Sequence, residues 1–267
     1  MNENSTEKIY FSFDSAAQLA VVRDAIAYLA RTFRFPMIWV SGSDAGSFDQ
    51  LGVDEVKNDF RLRYGISLEV QNEKGNCWQA MQAAVKKEKP FLTLISSDVQ
   101  AEGLLGGGMR SWTTKLGVPT LFLNHDAQWQ NPDMLFMPLD VASETRQKFG
   151  CVAKIATKSR SMIAVKGVLK KKDAENSHLV NIYVVQANNF MVDRGILVKD
   201  LGVVESQDVV SEIMNSAMEM RNKWLCILSN PEGGLKKSSF QQLCENAGFP
   251  VLLIPFQEVI GTGGSGY

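Results

Sequence analysis

The chain has 267 residues, of which 45% are hydrophobic and 21% are charged, and its formal net charge at pH 7 is −1. This is the composition of a globular protein with room for roughly two domains. The balanced charge provides no strong attraction for a polyanion, so the sequence predicts no nucleic-acid partner and no membrane partner.

The cysteines and the first residues indicate a reducing compartment. The 4 cysteines are scattered without a Cys-x-x-Cys pair, which favours buried thiols over a disulfide framework. Residues 1–8 are polar, unlike a secretory signal peptide, and no stretch has the apolar length needed to span a bilayer. We therefore expect a cytoplasmic protein.

Strand-like and helix-like segments alternate through the first half of the chain. Short apolar runs predict strands, and apolar residues repeating on one helical face predict the helices between them. In chain order we predict a strand at 9–13, a helix at 16–33, a strand at 35–40, a helix at about 48–64, a strand at 66–70, a helix around Trp78, Met81 and Val85, a strand at 91–95, a glycine-rich loop with a short helix at 103–117 and a strand at 118–123.

The second half repeats this order. Strands that alternate with helices at this spacing imply parallel sheets with right-handed crossovers. The predicted segments are a strand at 134–139, a helix at 144–160, a strand at 162–168, a basic loop, a helix at about 178–194, a strand at 196–204, a helix with Val210, Ile213 and Ala217, a strand at 224–228, a loop at 229–234, a helix with Phe240, Leu243 and Ala247 and a strand at 249–254.

Each half opens with an apolar run that ends in an aspartate. These aspartates, Asp14 and Asp140, lie 126 positions apart (140 − 14), which predicts a duplicated α/β domain. An aspartate at the carboxyl end of a first buried strand sits where open α/β sheets bind ligands. We assign 1–126 to a first domain, 132–258 to a second and 259–267 to a flexible tail.

Taken together, these features resemble the universal stress protein family in its tandem, two-domain form. The resemblance covers about 8–256 and rests on the two aspartates, on five strands per half, on the endings Gly117-Val-Pro-Thr-Leu-Phe and Gly248-Phe-Pro-Val-Leu-Leu, and on Gly233-Gly-Leu-Lys236. It implies an α/β fold of two flavodoxin-like domains (HUP-type, adenine nucleotide alpha hydrolase-like). Each would be a five-stranded parallel sheet with helices on both faces.

The resemblance also implies where a nucleotide would lie. ATP-binding members of the family carry G-x2-G-x9-G-(S/T) after the fourth strand, where backbone N–H groups approach the phosphates. Neither half keeps this spacing, so the sequence predicts degenerate adenine nucleotide sites, with ATP or AMP as the candidate ligand. The candidate binding residues are Asp140, Ser229, Gly233, Gly234, Ser238 and Ser239 in the second half and Asp14, Ser96, Ser97, Gly106 and Gly107 in the first.

A structural interpretation of the same residues stays open. The glycines could serve only to let the loops turn, and the serines and the two aspartates could cap helices. No metal site is expected from His125 and His178, which lack convergent partners, and Cys77 is expected to be a buried thiol.

The closing strands of the two halves are apolar and would lie at sheet edges. Open hydrogen-bonding groups on an apolar edge must be covered or paired, and dimers of the family pair these edges. We therefore predict an intramolecular pseudo-dimer through antiparallel contact of the two final strands. Shielding by a helix or by a second chain, as in a homodimer, is the alternative.

The function that the resemblance implies is a non-catalytic stress-response module. The alternative is a nucleotide-binding α/β enzyme that slowly hydrolyses ATP or adenylates a substrate. Such an enzyme needs an acid, a base or a metal clamp beside the phosphates. Because the sequence offers neither an intact phosphate loop nor a histidine pair there, we expect no enzymatic activity and assign no catalytic residue.

Overall fold

A computed structural model describes residues 7–13, 15–43, 50–97, 108–229 and 237–257. Strands and helices alternate in the predicted order. The strands are β1 (Ile9–Ser12), β2 (Met37–Gly42), β3 (Leu68–Glu73), β4 (Leu92–Ser97), β5 (Thr120–Asn124), β6 (Met134–Leu139), β7 (Met162–Lys170), β8 (Val198–Ser206), β9 (Lys223–Leu228) and β10 (Val251–Ile254). The helices are α1 (Ala16–Phe33), α2 (Gln50–Tyr64), α3 (Cys77–Lys87), α4 (Gly108–Leu116), α5 (Lys148–Ser159), α6 (Ser177–Val192), α7 (Val209–Met218) and α8 (Lys237–Asn246).

Helix α1 shows how the local sequence sets the bounds of an element. The Ser15 hydroxyl accepts a hydrogen bond from the Gln18 backbone N–H at 3.2 Å, which caps the first turn. Val22 and Ile26 lie on the predicted apolar face and are fully buried. The helix ends at Arg34, whose left-handed φ of 58° breaks the helical repeat.

The ten strands of the described residues form one sheet with the order β3-β2-β1-β4-β5-β10-β9-β6-β7-β8. Within each half the pairings are parallel, and β1 lies between β2 and β4 just as β6 lies between β7 and β9. Each half therefore contributes the predicted five parallel strands, and the first and fourth strands are neighbours. Their crossovers leave in opposite directions, which creates a topological switch point in each half.

The two halves meet through their final strands. Strand β5 pairs with β10 in antiparallel register, with Leu121 opposite Leu252 and Phe122 opposite Val251. This confirms the predicted antiparallel contact. As a result, the two five-stranded layers are not separate sheets but are hydrogen-bonded into one continuous sheet. The proposed domain limits at 126 and 132 stay a prediction.

The internal repeat is visible in the backbone as well as in the sequence. Arg34 ends α1 and Arg160 ends α5, with left-handed φ angles of 58° and 57°, and these two residues are again 126 positions apart (160 − 34). The same offset relates equivalent strand pairings: Ile9 faces Met37 in β1 and β2, and Leu135 faces Ile163 in β6 and β7. The offset therefore identifies equivalent positions in the opening strands and helices of the two halves.

An aromatic cluster joins the two halves on one face of the sheet. It consists of Tyr28 of α1, Trp129 of the segment between the halves and Trp224 of β9. The Trp129 ring centroid lies 5.6 Å from that of Tyr28 and 5.5 Å from that of Trp224. Trp224 is fully buried, and one continuous hydrophobic core contains residues of both halves. The halves therefore share a core rather than only a sheet edge.

Candidate functional site

A pocket opens at the carboxyl ends of β6, β7 and β9, at the switch point of the second half. Its volume is about 100 Å³. The walls are mainly apolar, and the polar groups cluster on one side around Asp140. The lining residues used below are Asp140, Thr145, Lys148, Lys170, Asp173 and Phe240.

Asp140 follows β6 directly and lines this pocket. Its Oδ1 accepts a hydrogen bond from the Ala142 backbone N–H at 3.2 Å, and its own N–H donates to the Thr145 hydroxyl at 3.5 Å. Burial raises the pKa of the Asp140 carboxyl above its ordinary value, and the nearby Lys148 ammonium is the largest opposing influence. The carboxylate is thus engaged in a local turn just before the 3-10 helix at Ser143–Gln147, whose N-cap residue is Ala142, and it remains part of the pocket wall.

Lys148 also lines the pocket, and it was not predicted from the sequence. It is the first residue of α5, its side chain is buried, and its Nζ donates to the Pro138 carbonyl oxygen. Burial lowers the pKa of Lys148 to about 8, against the opposing influence of Asp140. One feature of the sequence could have indicated its burial: Lys148 lies one turn before Val152, on the apolar face of the helix predicted at 144–160.

The equivalent position in the first half is apolar. With the offset of 126, Lys148 corresponds to Val22 and Thr145 corresponds to Leu19, and both of these α1 residues are buried. The fold therefore accommodates a hydrophobic side chain at this position without difficulty. The amine is a property of the second half and not a requirement of the architecture.

Ser229 lies at the contact between the two halves. Its side chain is fully buried and its Oγ accepts a hydrogen bond from the Phe256 N–H at 3.1 Å. The Thr114 hydroxyl of α4, in the first half, donates to the Ser229 carbonyl oxygen at 2.8 Å and lies 3.1 Å from the Ser229 Oγ. The predicted phosphate contact of Ser229 stays a prediction, and these bonds give the hydroxyl a structural role.

Thr114→Val is expected to lower the free energy of unfolding by about 1–2 kcal/mol, because the buried Ser229 groups lose their partner across the two halves. Urea unfolding followed by circular dichroism measures the change. Thr157→Val is the matched control, because the Thr157 hydroxyl donates to the Ala153 carbonyl of its own helix at 2.9 Å, just as the Thr114 hydroxyl also bonds the Arg110 carbonyl of α4 at 3.0 Å, and among the described residues Thr157 has no bond to the other half. If the two variants lost equal amounts of unfolding free energy, a role for Thr114 in joining the halves would be contradicted.

The structure describes four of the remaining predicted binding residues, namely Ser96, Ser97, Ser238 and Ser239. Ser96 lies on β4 in the first half, and its hydroxyl is buried without a hydrogen-bond partner in the described part of the chain. Ser97 ends β4, and Ser238 and Ser239 belong to the first turn of α8, next to the pocket residue Phe240. The other predicted binding residues, Asp14, Gly106, Gly107, Gly233 and Gly234, lie outside the described residues.

The described residues also bear on the predictions made for metal ligands and for the cysteine thiols. They contain no group of three or more histidine, cysteine, aspartate or glutamate side chains arranged to hold a metal ion. Cys77, Cys226 and Cys244 are buried, and burial raises the pKa of the Cys226 and Cys244 thiols. Cys77 is therefore the buried thiol that the sequence predicted. None of the helices in the described ranges is long and apolar enough to cross a membrane.

Compared by sequence, the chain matches no protein-family model and no curated protein. Its structure is similar to solved structures along almost its full length. A universal stress protein from Archaeoglobus fulgidus matches with a TM-score of 0.62 and 12% identity, over 95% of this chain and 98% of that chain. A functionally unknown protein from Pseudomonas aeruginosa matches with a TM-score of 0.65 and 10% identity, over 94% and 93%.

The same fold occurs in a different setting. The cytoplasmic domain of a prokaryotic cation chloride cotransporter matches with a TM-score of 0.55 and 10% identity, over 93% of this chain and 95% of that chain. At such low identities the similarity establishes the fold, and function has to be argued from the site. The predicted universal stress protein resemblance is thus confirmed at the level of the fold.

Proposed function

We propose that the chain is a non-catalytic stress-response module of the universal stress protein type, with degenerate adenine nucleotide sites that hold neither ATP nor AMP tightly. The observation that carries this proposal is the pocket at Asp140. Its volume of about 100 Å³ is well below the roughly 300–1,000 Å³ of typical ligand pockets, and the buried Lys148 side chain lies in its wall.

The phosphate end of the site supports the same proposal. The phosphate motif lacks its spacing in both halves, so an array of backbone N–H groups around the phosphates is not expected. The Ser229 hydroxyl is bonded to the Phe256 N–H, and Thr114 from the other half lies against it. A phosphate at Ser229 would have to replace bonds that join the two halves.

Calorimetric titration of the full chain with magnesium ATP, and separately with AMP, tests the proposal. We expect no saturable heat for dissociation constants tighter than about 1 mM, which corresponds to a binding free energy of about −4 kcal/mol. Mass spectrometry of the protein purified without added nucleotide should also find no retained adenine nucleotide. Micromolar binding of either compound would contradict the proposal, and turnover of ATP would favour the alternative of a slow ATPase or adenylating enzyme.

A further inference from the structure

The pocket beside Asp140 contains a buried lysine amine that is not among the predicted nucleotide-binding residues. Lys148 places an amine in a mostly apolar wall, where only 4% of the residue is exposed. Its Nζ is held by the Pro138 carbonyl oxygen of β6, so its position is fixed by a buried strand. The apolar walls come from β7, β9, α7 and α8: Val168, Leu169, Val209, Ile213, Ile227 and Phe240.

An amine at this position is unfavourable for stability. Removing an ammonium group from water costs several kcal/mol unless partners compensate, whereas the equivalent Val22 of the first half packs as an ordinary core residue. Burial lowers the pKa of Lys148 to about 8, so that near this pH about half of the molecules carry the neutral, nucleophilic amine. Lysine amines in such desolvated pockets form Schiff bases with carbonyl compounds.

We propose that Lys148 is the attachment site for a short aliphatic aldehyde, which enters the pocket and forms an imine with Nζ. The nitrogen lone pair attacks the carbonyl carbon, and the carbonyl oxygen takes up a proton. The C–O bond of the resulting carbinolamine then breaks as the C=N bond forms, and one water molecule leaves. Amine and aldehyde give imine and water, so no oxidant or reductant is consumed.

Asp140 provides a proton donor and a counter-charge for this reaction, and the Pro138 carbonyl provides a hydrogen-bond acceptor for the product. Asp140 lines the same pocket and can pass a proton to the departing hydroxyl, and its carboxylate offsets the charge of a protonated imine. The N–H of that protonated imine keeps the donor position that Nζ uses toward the Pro138 carbonyl. Among the described residues, the other titratable or charged groups near Lys148 are Cys226 of β9 and, in the lining of the same pocket, Lys170 and Asp173.

The size of the pocket selects the class of aldehyde. The volume of about 100 Å³ is small and the walls are mainly apolar. These properties favour a short aliphatic aldehyde such as butanal over an aldehyde that carries a phosphate or a large ring. The inference concerns a different ligand from the nucleotides considered above and does not depend on the loss of nucleotide binding.

Reductive trapping tests the proposal. The folded full chain is incubated with butanal and sodium cyanoborohydride near pH 8, and peptide mass mapping follows the gain of one butyl group at each lysine. At this pH the neutral fraction of Lys148 exceeds that of an ordinary lysine by about 100-fold. We therefore expect Lys148 to react at least about tenfold faster than the exposed Lys172 and Lys199, and about 50-fold more slowly at pH 6 than at pH 8.

The controls separate pocket chemistry from general lysine reactivity. Lys148→Arg should lose the rapid modification, Asp140→Asn should slow it without changing Lys199, and urea should abolish the advantage of Lys148. A bulky aromatic aldehyde should not react preferentially at Lys148. Equal rates at Lys148 and Lys199 in the folded protein, or an equal preference for the bulky aldehyde, would overturn the proposal.

Added ATP distinguishes this proposal from the proposed function. If ATP leaves the trapping rate unchanged while Lys148 still reacts preferentially, both proposals are supported. If ATP protects Lys148 from butanal, the reactive pocket is supported and the loss of nucleotide binding is contradicted.

Discussion

Trp224→Ala is expected to lower the free energy of unfolding by about 3–5 kcal/mol. Trp224 is fully buried on β9, and its ring packs against Trp129 and Tyr28, so alanine leaves a cavity where the two halves share their core. Urea unfolding followed by far-ultraviolet circular dichroism measures the loss.

Because the core is continuous across the halves, we also expect the native protein to unfold in a single transition.

Trp224→Phe is the matched control for this prediction. Phenylalanine keeps an aromatic ring against Tyr28 and removes the indole N–H, which is buried without a hydrogen-bond partner in the described residues. Trp224→Phe should therefore lower the free energy of unfolding by only about 1–2 kcal/mol, clearly less than Trp224→Ala. A Trp224→Ala variant as stable as Trp224→Phe, or two separate transitions in the native protein, would show that the halves do not share a core.

Lys148→Met is expected to change how the stability depends on pH. Burial lowers the pKa of Lys148 in the folded state to about 8, while an unfolded lysine has a pKa of about 10.4. Between these values the unfolded state binds more protons than the folded state, so the stability contribution of Lys148 rises with pH. The free-energy cost of burying the charged amine in the folded state is therefore complete below about pH 8, and it disappears as the pH approaches 10.4.

The measurable quantity is the difference between the native protein and Lys148→Met. The free energy of unfolding of the native protein, relative to the variant, should rise by about 3 kcal/mol between pH 7 and about pH 10.5. Contributions from tyrosines and thiols cancel in this difference. Lys199→Met, which replaces an exposed lysine on β8, serves as the control, and a pH-independent difference for Lys148→Met would refute burial of its amine.

Elements with strong local signals were predicted well from the sequence. Helix α1 begins and ends at the predicted residues because Ser15 caps it and the chain turns at Arg34. Strand β6 also has its predicted bounds. The antiparallel contact of β5 and β10 followed from an edge argument, since two apolar closing strands need partners.

Elements that depend on distant partners were predicted less well. The predicted strand at 66–70 is found at Leu68–Glu73, because the ladder to β2 continues through polar residues and Glu73 pairs with Lys87 at 2.5 Å. The predicted helix at 144–160 is divided into a 3-10 helix at Ser143–Gln147 and α5. Part of the predicted basic loop forms a second 3-10 helix, at Lys171–Asn176.

The candidate site was predicted only at its opening residue. Asp140 was identified because it ends an apolar run at the carboxyl end of a strand. Lys148 was missed because an analysis of helical periodicity assigns the buried face to apolar residues and treats a lysine as solvated. The bonds of Ser229 could not be inferred, because Thr114 lies 115 positions away in the other half.

The joining of β5 to β10 leaves β3 and β8 as the two outer strands of the sheet. Both strands carry exposed charged side chains, among them Glu69 on β3 and Lys199, Asp200 and Glu205 on β8. Such charges oppose the addition of a further strand from another molecule. Indefinite growth of the sheet into fibres, by repeated addition of strands from further copies of the chain, is therefore disfavoured.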